Sequence, residues 1–379
     1  MLGHDTGNTF TNPHASGPSD DPEIRWTFER NTGGLLTDYQ TFHPLIVDGT
    51  VYISAPDTQS GDVSNADQWT WEFLAIDAET GDSTPIFQTD DRISHPTIID
   101  GILYASVGST IRAYDLETGN ERWRQNFGFG VSAIRKVHDV VIITRSCLGV
   151  ALLDKIPHVM AIDASSGEVL WQQKRKDVFC GPRLPIVYGD AVYIQDSAAI
   201  RNLKTGEIRG RLSARPVYPS MSNETLYGAT LLKENVSNRR FVSMEYLNLE
   251  EQWASRPEEG IRTGWPVVVG DVLVLHTGRD RANIVGADRN TGERLWVTNT
   301  TEAFGRGSPL GSMFRVATDD TVYAIHEGGA VTAVDPTDGT ILWQLKNEEM
   351  GWNPIRGCAL ADDLLVTVGG GNGKLFAIS

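Results

Sequence analysis

The sequence predicts an all-β fold: an eight-bladed β-propeller of four-stranded antiparallel blades, with the last blade closed by the N-terminal strand. Three observations predict it. A short turn phrase recurs six times, a tryptophan follows most of the copies at a fixed distance, and a second hairpin signal precedes them. A repeat of roughly 40 residues carrying such signals is typical of sheets arranged around a common axis.

The recurring phrase predicts a turn between two strands. In the copy from Ala75 to Gly81, apolar residues lead into Asp77, whose carboxylate can accept bonds from backbone N–H groups two residues on. The glycine supplies the positive φ that a bulged hairpin loop needs. The six copies begin at Ala75, Ala113, Ala161, Arg201, Ala287 and Val334, and four of them are followed by Trp123, Trp171, Trp296 and Trp343.

A second hairpin lies upstream of each turn phrase. The stretch Pro96–Ala105 has Asp100-Gly101 between short β-branched and aromatic runs, which predicts two strands joined by a tight turn. Each unit therefore contains four strands, A to D. The predicted blades lie near 43–90, 95–127, 135–175, 183–212, 213–256, 264–300 and 312–347, with an incomplete eighth from Gly357 to Ser379.

The eighth blade lacks an outer strand, and the N-terminal region can supply it. Residues Glu23–Glu29 read as a strand and place Trp26 where other blades have their tryptophan. A four-stranded sheet cannot bury both faces alone, so radial stacking and closure of the ring follow. We expect residues 1–21 to be an extended polar lead-in and residues 22–379 to be one eight-bladed propeller.

The pattern Ala-x-Asp-x-x-Thr-Gly-x-x-x-Trp resembles the repeat of pyrroloquinoline-quinone-like (PQQ-like) propellers over about residues 22–379. That family includes quinoprotein dehydrogenases and the propeller lipoprotein of the outer-membrane β-barrel assembly machinery. The resemblance implies tryptophans that dock between adjacent blades, here Trp26, Trp123, Trp171, Trp296 and Trp343. Fold-level resemblance leaves function open, because many members bind no quinone.

The residues that carry catalysis in quinoproteins are not matched by the sequence. Catalytic members have adjacent cysteines and a calcium held by Glu, Asn and Asp, whereas Cys147, Cys180 and Cys358 are far apart here. No calcium-loop or metal-ligand spacing is visible either. We therefore expect no cofactor and no metal, with PQQ plus calcium kept as the alternative.

Composition is strongly acidic. Asp and Glu number 49 against 33 Lys and Arg, which gives a formal net charge of −16, and 25 of the basic residues are Arg. Hydrated carboxylates with few lysines indicate an extreme halophile, in which molar salt screens the repulsion, although an ordinary acidic protein is the simpler interpretation. Such a field disfavours nucleic acid as a partner.

No run of 18 apolar residues is present, so the sequence predicts no transmembrane segment. By resemblance, we expect an extracytoplasmic protein at the cell surface. Its export signal would have been removed, and a membrane tether would lie upstream of Met1. We expect a monomer.

The links between strand D of one blade and strand A of the next are the predicted binding surface, because they reach the axis. They carry one arginine each, which would form a positive ring at the channel mouth, with aromatic neighbours. The alternative is that the arginines pair with carboxylates of the ring itself. The candidate residues are Arg92, Arg135, Arg183, Arg215, Arg262, Arg306, Arg356, Trp265 and Trp352.

These observations favour a non-catalytic binding or scaffold propeller that presents loops around a channel to a protein segment or a small anionic ligand. The alternative is a quinoprotein-type oxidoreductase with a degenerate site, and the sequence predicts no catalytic residues. A sensor domain of a signalling chain is a third interpretation. The insertion from Ser60 to Trp71, predicted to be a loop between strands B and C, is a further candidate for partner binding.

Overall fold

The computed structural model describes residues 10–29, 44–57, 70–127, 131–145, 157–174, 184–194, 198–213, 216–230, 240–246, 248–255, 265–277, 283–300, 314–326, 329–346, 355–369 and 374–379. Their strands form eight sheets of four antiparallel strands each. This confirms the predicted fold class. Among these residues there is no helix of the length and apolar character that crossing a membrane requires.

The blades follow one another in chain order, and each runs A to D from the axis outwards. Blade I is β2 (Leu45–Val47), β3 (Thr50–Asp57), β4 (Thr70–Asp77) and β5 (Ser83–Thr89); blade II is β6 (Ile93–Ile99), β7 (Ile102–Val107), β8 (Thr110–Asp115) and β9 (Glu121–Asn126). Blade III is β10 (Val131–Val137), β11 (Val140–Arg145), β12 (Val159–Asp163) and β13 (Val169–Gln173); blade IV is β14 (Ile186–Tyr188), β15 (Ala191–Tyr193), β16 (Ala199–Asn202) and β17 (Ile208–Arg211).

The second half of the ring repeats this plan. Blade V is β18 (Pro216–Ser222), β19 (Thr225–Thr230), β20 (Arg240–Glu245) and β21 (Glu251–Ser255); blade VI is β22 (Val267–Val269), β23 (Val272–Thr277), β24 (Asn283–Asp288) and β25 (Arg294–Asn299). Blade VII is β26 (Phe314–Ala317), β27 (Val322–Ile325), β28 (Val331–Val334) and β29 (Ile341–Leu345); blade VIII is β30 (Ile355–Ala361), β31 (Leu364–Gly369), β32 (Lys374–Ile378) and β1 (Ile24–Glu29).

Blade VIII is completed by the N-terminal strand, as predicted. Strand β1 pairs antiparallel with β32, from Ile24 opposite Ile378 to Glu29 opposite Lys374. The backbone pair between Glu23 and Ser379 extends the ladder, with both N–H···O distances 3.1 Å. The first and last strands of the propeller are thus neighbours in one sheet, and this closes the ring.

The core lies between blades rather than inside them. Each sheet packs one face on the preceding blade and the other on the following blade; Val51 and Leu74 of blade I, for example, share a buried cluster with Val366 and Leu375 of blade VIII. Successive side chains of a strand point to opposite faces of its sheet, and here both faces are buried. The strands therefore read as near-continuous apolar runs.

A tryptophan on the outer strand fastens each of five seams to the next blade. The indole N–H donates to the carbonyl of the residue directly after the Asp, or the Asn in blade IV, of the neighbouring turn phrase, at 2.8–3.0 Å. The five donor–acceptor pairs are Trp26 with Ala78, Trp123 with Ala164, Trp171 with Leu203, Trp253 with Arg289, and Trp296 with Pro336.

The turn phrase has the geometry that its sequence predicts. Asp77 Oδ1 accepts the N–H groups of Glu79 and Thr80 at 2.9 and 2.8 Å, and these bonds lower the pKa of Asp77. Gly81 has φ 77, and a Cβ there would lie 2.9 Å from the ring of Trp26. The glycine is therefore required by the backbone and by the stacked indole together.

Trp343 also belongs to this set but lies at a different seam. It is buried against Tyr323, with ring centroids 5.7 Å apart, in a cluster shared with blade VIII. In blade VIII strand C is β32 and strand D is β1, so among the described residues these two strands are not joined by a turn phrase that could face this indole. Trp343 is therefore buried to the same degree as Trp26 and Trp296, but its neighbours are different.

Candidate functional site

The first strands of the sheets line the axis. Each lies against the first strand of a neighbouring blade along most of the ring, for example β2 against β6 and β26 against β30. Their outer side is paired with strand B, so the other backbone edge faces the axis. Since the D–A links lead into these strands, the predicted mouth corresponds to their N-terminal ends.

Arg92 lies at this end of blade II, directly before β6. Its guanidinium carbon is 5.5 Å from the ring centroid of Trp71, a cation–π contact with the third strand of blade I. Trp71 itself lies in β4 and is buried, so it is not part of an inserted loop. This contact directs Arg92 away from the axis, towards the seam between blades I and II.

His95 follows Arg92 at a break in the β6–β7 register and has φ 51, an uncommon conformation for a residue with a Cβ. Burial, together with the nearby charge of Arg92, lowers the pKa of His95 to about 4. The imidazole is therefore neutral at physiological pH and adds no charge to the mouth.

Arg135 lies within an inner strand rather than in the preceding link. It pairs with Ile142 in the β10–β11 ladder and is only 1% exposed. Ile142 and Ala161, on the same face of the sheet, pack on Val187 of blade IV. Arg135 is thus held in the seam between blades III and IV.

Trp265 lies two residues before β22, at the inner end of blade VI. Its ring is 5.8 Å from that of Phe10, at an interplanar angle of 45°. Of the remaining candidates, Arg356 lies in β30 with its side chain outside the described part of the structure. Arg183, Arg215, Arg262, Arg306 and Trp352 lie outside the described residues.

The N-terminal residues 10–17 lie along the axis-facing edges of three blades. Thr11 forms a parallel bridge with Ala317, the last residue of β26, and the Phe10 carbonyl accepts the N–H of Ala317 at 2.9 Å. Since β27 takes the other edge of β26, this contact is on the axis side. An extended piece of the chain itself therefore adds to the inner wall, in the manner of a bound peptide.

Side chains of the same segment reach the blades on either side. The Thr11 hydroxyl donates to the Val268 carbonyl of blade VI at 2.6 Å, and the Asn12 amide donates to the Leu360 carbonyl of blade VIII at 3.2 Å. Further along, the Gly17 N–H donates to the Asp362 carbonyl at 2.8 Å. The segment bridges blades VI, VII and VIII, a role that its polar composition did not predict.

Arg315 is a site residue that sequence reasoning missed. It lies in β26 opposite Ala324, and its Nη2 donates to the carbonyl of Trp265 at 2.7 Å. By strand register it occupies the place of a proline in five blades: Pro44, Pro96, Pro185, Pro219 and Pro266. The signal in the sequence was that blade VII lacks the proline that five other blades have at this position.

A polar row continues from Arg315 across the same face of blade VII. His326 follows β27, and its Nε2 lies 3.0 Å from the Thr332 hydroxyl, which also accepts the Gln344 amide at 3.2 Å. Ala317, Val322 and Ala324, also on this face, pack on blade VI. A row of polar groups from β26 to β29 therefore interrupts the apolar face that blade VII packs against blade VI.

The described residues contain no group of three or more His, Cys, Asp or Glu side chains that could hold a metal ion. Cys358 is the one cysteine within the described ranges, and it is a free thiol. Burial raises its pKa to about 12, so the thiol stays protonated.

Solved structures similar to this chain are propellers. BamB from Moraxella catarrhalis has a TM-score of 0.65 at 13% identity, covering 94% of this chain and 97% of that one. Quinohemoprotein alcohol dehydrogenase from Comamonas testosteroni has a TM-score of 0.65 at 13% identity, covering 100% and 80%. At such identities the likeness shows the fold alone.

Sequence comparison adds a relative and a family. The serine/threonine-protein kinase AfsK of Streptomyces griseus is 25% identical over 262 residues, which are 65% of this chain and 29% of that protein. This chain thus matches under a third of the kinase's length. The PQQ_2 family model, described as outer membrane protein assembly factor BamB, matches residues 92–298, more than half of the 379 residues. The chain therefore belongs to this family of BamB-like, PQQ-repeat propellers.

Proposed function

We propose that the protein is a non-catalytic scaffold that binds an extended segment of a partner protein, or a small anionic ligand, at the axis of the ring. The observation that carries the proposal is the position of residues 10–17. Thr11 and Phe10 are held on the inner edge of blade VII by backbone contacts. Backbone pairing of this kind accepts many sequences, and flanking side chains give selectivity.

Local positive charge, rather than the net charge of the protein, supports an acidic occupant. The net charge of −16 repels acidic segments from most of the surface, so a binding site for them needs local positive charge. The predicted mouth supplies arginines, among them Arg262 and Arg306. Guanidinium groups bind carboxylates in preference to other side chains.

Binding of fluorescein-labelled hexaglutamate, measured by anisotropy, tests the proposal. The double variant Arg262→Gln/Arg306→Gln should weaken binding by at least about tenfold, with the melting temperature nearly unchanged. The matched control is Arg122→Gln/Arg209→Gln, which removes the same charge from outer strands β9 and β17. Equal losses in both variants, or a large fall in melting temperature of the first, would contradict the proposal.

The quinoprotein alternative is tested with the same protein. PQQ and calcium added together should leave the absorbance spectrum of the quinone and the melting temperature unchanged if the ring is a scaffold. A saturable shift in either quantity would favour the oxidoreductase.

A second candidate is the ligand-sensing part of a signalling protein, which the match to the AfsK kinase favours. In both cases the ring would bind its ligand at the axis, and the difference lies in what else the protein is joined to. We further propose an extracytoplasmic location, supported by the BamB family match. Fractionation of source cells with an antibody against the ring tests it, and a cytoplasmic signal would contradict it.

A further inference from the structure

Arg315 is a buried cation whose hydrogen-bonding capacity is largely unused. Arg315 is only 5% exposed, and its Nη2 donates a hydrogen bond to the Trp265 carbonyl. Among the described residues, Nε and Nη1 have no hydrogen-bond partner. Burial lowers the pKa of Arg315 to about 9, so the guanidinium is still protonated at neutral pH.

A buried charge without a counter-charge destabilises the folded state. Within the described ranges, the side chain of Arg315 makes a hydrogen bond to the carbonyl of Trp265 and forms no ion pair with an Asp or Glu. The repeat has a ready alternative, since five blades place proline at this position and need no counter-charge. Retaining arginine here indicates that an anion compensates it.

The surroundings restrict the kind of anion. His326 lies on the same face of blade VII, and burial lowers its pKa to about 3, so of these two groups only Arg315 carries a positive charge. One guanidinium is matched by a monoanion rather than by a dianionic phosphate. Carboxylates also suit the planar guanidinium, which can donate two parallel bonds to them.

Apolar side chains form the rest of the surroundings. The rings of Phe10 and Trp265 are in contact at 5.8 Å, and Phe10 packs on the cluster that contains Val267 and Ala324. The Phe10 backbone is bonded to Ala317, two residues from Arg315 on the same strand. A carboxylate with an apolar body therefore meets both a charge partner and an aromatic wall.

We propose that Arg315 binds the carboxylate of such a ligand at the inner end of the seam between blades VI and VII, with Phe10 and Trp265 as its apolar wall. The inference deepens the proposed function and rests on it for the place of binding. It names the chemistry of the ligand: a monocarboxylate carried by an apolar group, either free or on a peptide side chain.

Thermal melts in sodium benzoate, sodium acetate or sodium phosphate, at constant ionic strength with sodium chloride, test the assignment. We expect benzoate to raise the melting temperature of the wild type more than acetate or phosphate does, because a ligand that binds only the folded state stabilises it. Arg315→Pro, which takes the residue of five other blades, should abolish the benzoate effect. Arg315→Gln is the second variant, should proline prevent folding.

The matched control is Arg145→Val. Arg145 is another buried arginine with a nitrogen lacking a hydrogen-bond partner in the described part, and Val107 occupies its register position in blade II. This variant should keep the full benzoate response. Equal benzoate shifts in wild type and both Arg315 variants would overturn the proposal, and so would a response to phosphate that exceeds that to benzoate.

Ligand-free stability gives an independent readout. Without carboxylate, Arg315→Pro should melt at or above the wild-type temperature, since it removes an uncompensated charge. If both Arg315 variants are strongly destabilised instead, the counter-charge is internal and the proposal fails. Hexaglutamate binding separates this failure from failure of the proposed function. Loss of the benzoate effect alone removes only the carboxylate site, whereas absence of peptide binding removes the scaffold function.

Discussion

Gly210 and Leu249 fill together the volume that a tryptophan and a glycine fill at five other seams. Leu249 stands where the turn phrase has glycine, with φ 64 and the same bond from its N–H to Glu245 O at 3.0 Å. Gly210 stands on β17 where other outer strands have the docking tryptophan, and a Cβ there would clash with Leu249 Cδ1. Each residue compensates for the other.

This exchange predicts strong coupling between the two positions. Gly210→Trp should destabilise the fold by overpacking against Leu249, and Leu249→Gly should leave a cavity. The double variant restores the arrangement of the other seams, so it should be more stable than the sum of the single changes by about 0.5–3 kcal/mol. Urea unfolding of the four proteins measures the difference, and strict additivity would show that the seam does not couple them.

Turn glycines that face an indole should tolerate alanine less well than turn glycines in open space. Gly292 has φ 74, and a Cβ there would lie 2.5 Å from the Trp253 ring. Gly101 has φ 68 with nothing within 4 Å of a Cβ. Both alanine variants carry backbone strain of about 1–3 kcal/mol, and Gly292→Ala adds a steric cost. The comparison is made by denaturant unfolding; equal losses would mean that the indole moves aside freely.

Acid should destabilise the ring through its turn aspartates. Hydrogen bonds, from the Arg122 side chain for Asp115 and chiefly from Ser165 and Ser166 for Asp163, lower the pKa of both carboxyls to about 2, against about 3.9 in an unfolded chain. Below pH 4 the unfolded state binds more protons than the folded state. The contribution is therefore complete above about pH 4 and is lost as pH falls towards 2.

The matched variant for this titration is Asp163→Asn, because Asn202 already makes the same turn in blade IV. Asn202 Oδ1 accepts the N–H groups of Lys204 and Thr205, both at 2.9 Å. The variant should fold and should lose stability less steeply between pH 4 and 2, as thermal melts across that range would show. An unchanged slope would contradict the assignment of Asp163.

We propose that the acidic composition is an adaptation to high salt. With 49 acidic against 33 basic residues, lowering salt from molar to about a tenth molar lengthens the screening distance from about 3 to 10 Å. Repulsion between carboxylates then increases, and the melting temperature should fall. Potassium chloride titration followed by circular dichroism measures it, and a melting temperature independent of salt would rule out the adaptation.

The sequence predicted the repeating parts of the fold and missed what departs from the repeat. Turn aspartates and turn glycines are local patterns that recur, so the blade count followed from them. The closing strand was identified from its strand pattern and from the position of Trp26. The copy of the turn phrase in blade V was missed because Leu249 replaces its glycine, and Trp253, four residues further on, was missed with it. Trp71 was placed in a loop because the preceding residues carry no strand pattern, whereas burial draws it into β4.

The candidate site was less predictable because it depends on contacts between distant segments. Residues 10–17 have no strand periodicity, and their place on β26 is set by the free inner edge of that strand. Arg135 was assigned to a link from its spacing alone, while its strand register places it in a seam. The ligand-binding role of the link arginines stays a prediction.

The pairing of β1 with β32 has a consequence for biosynthesis. Strand β1 is translated before the other strands of the ring and its partner β32 after them, so the ring cannot close until residues 374–378 have been made. Until β32 has been made, residues 24–29 are an unsatisfied edge that can pair with other polypeptides. A nonsense mutation before β32 would leave that edge exposed permanently, and the truncated ring would be prone to aggregation.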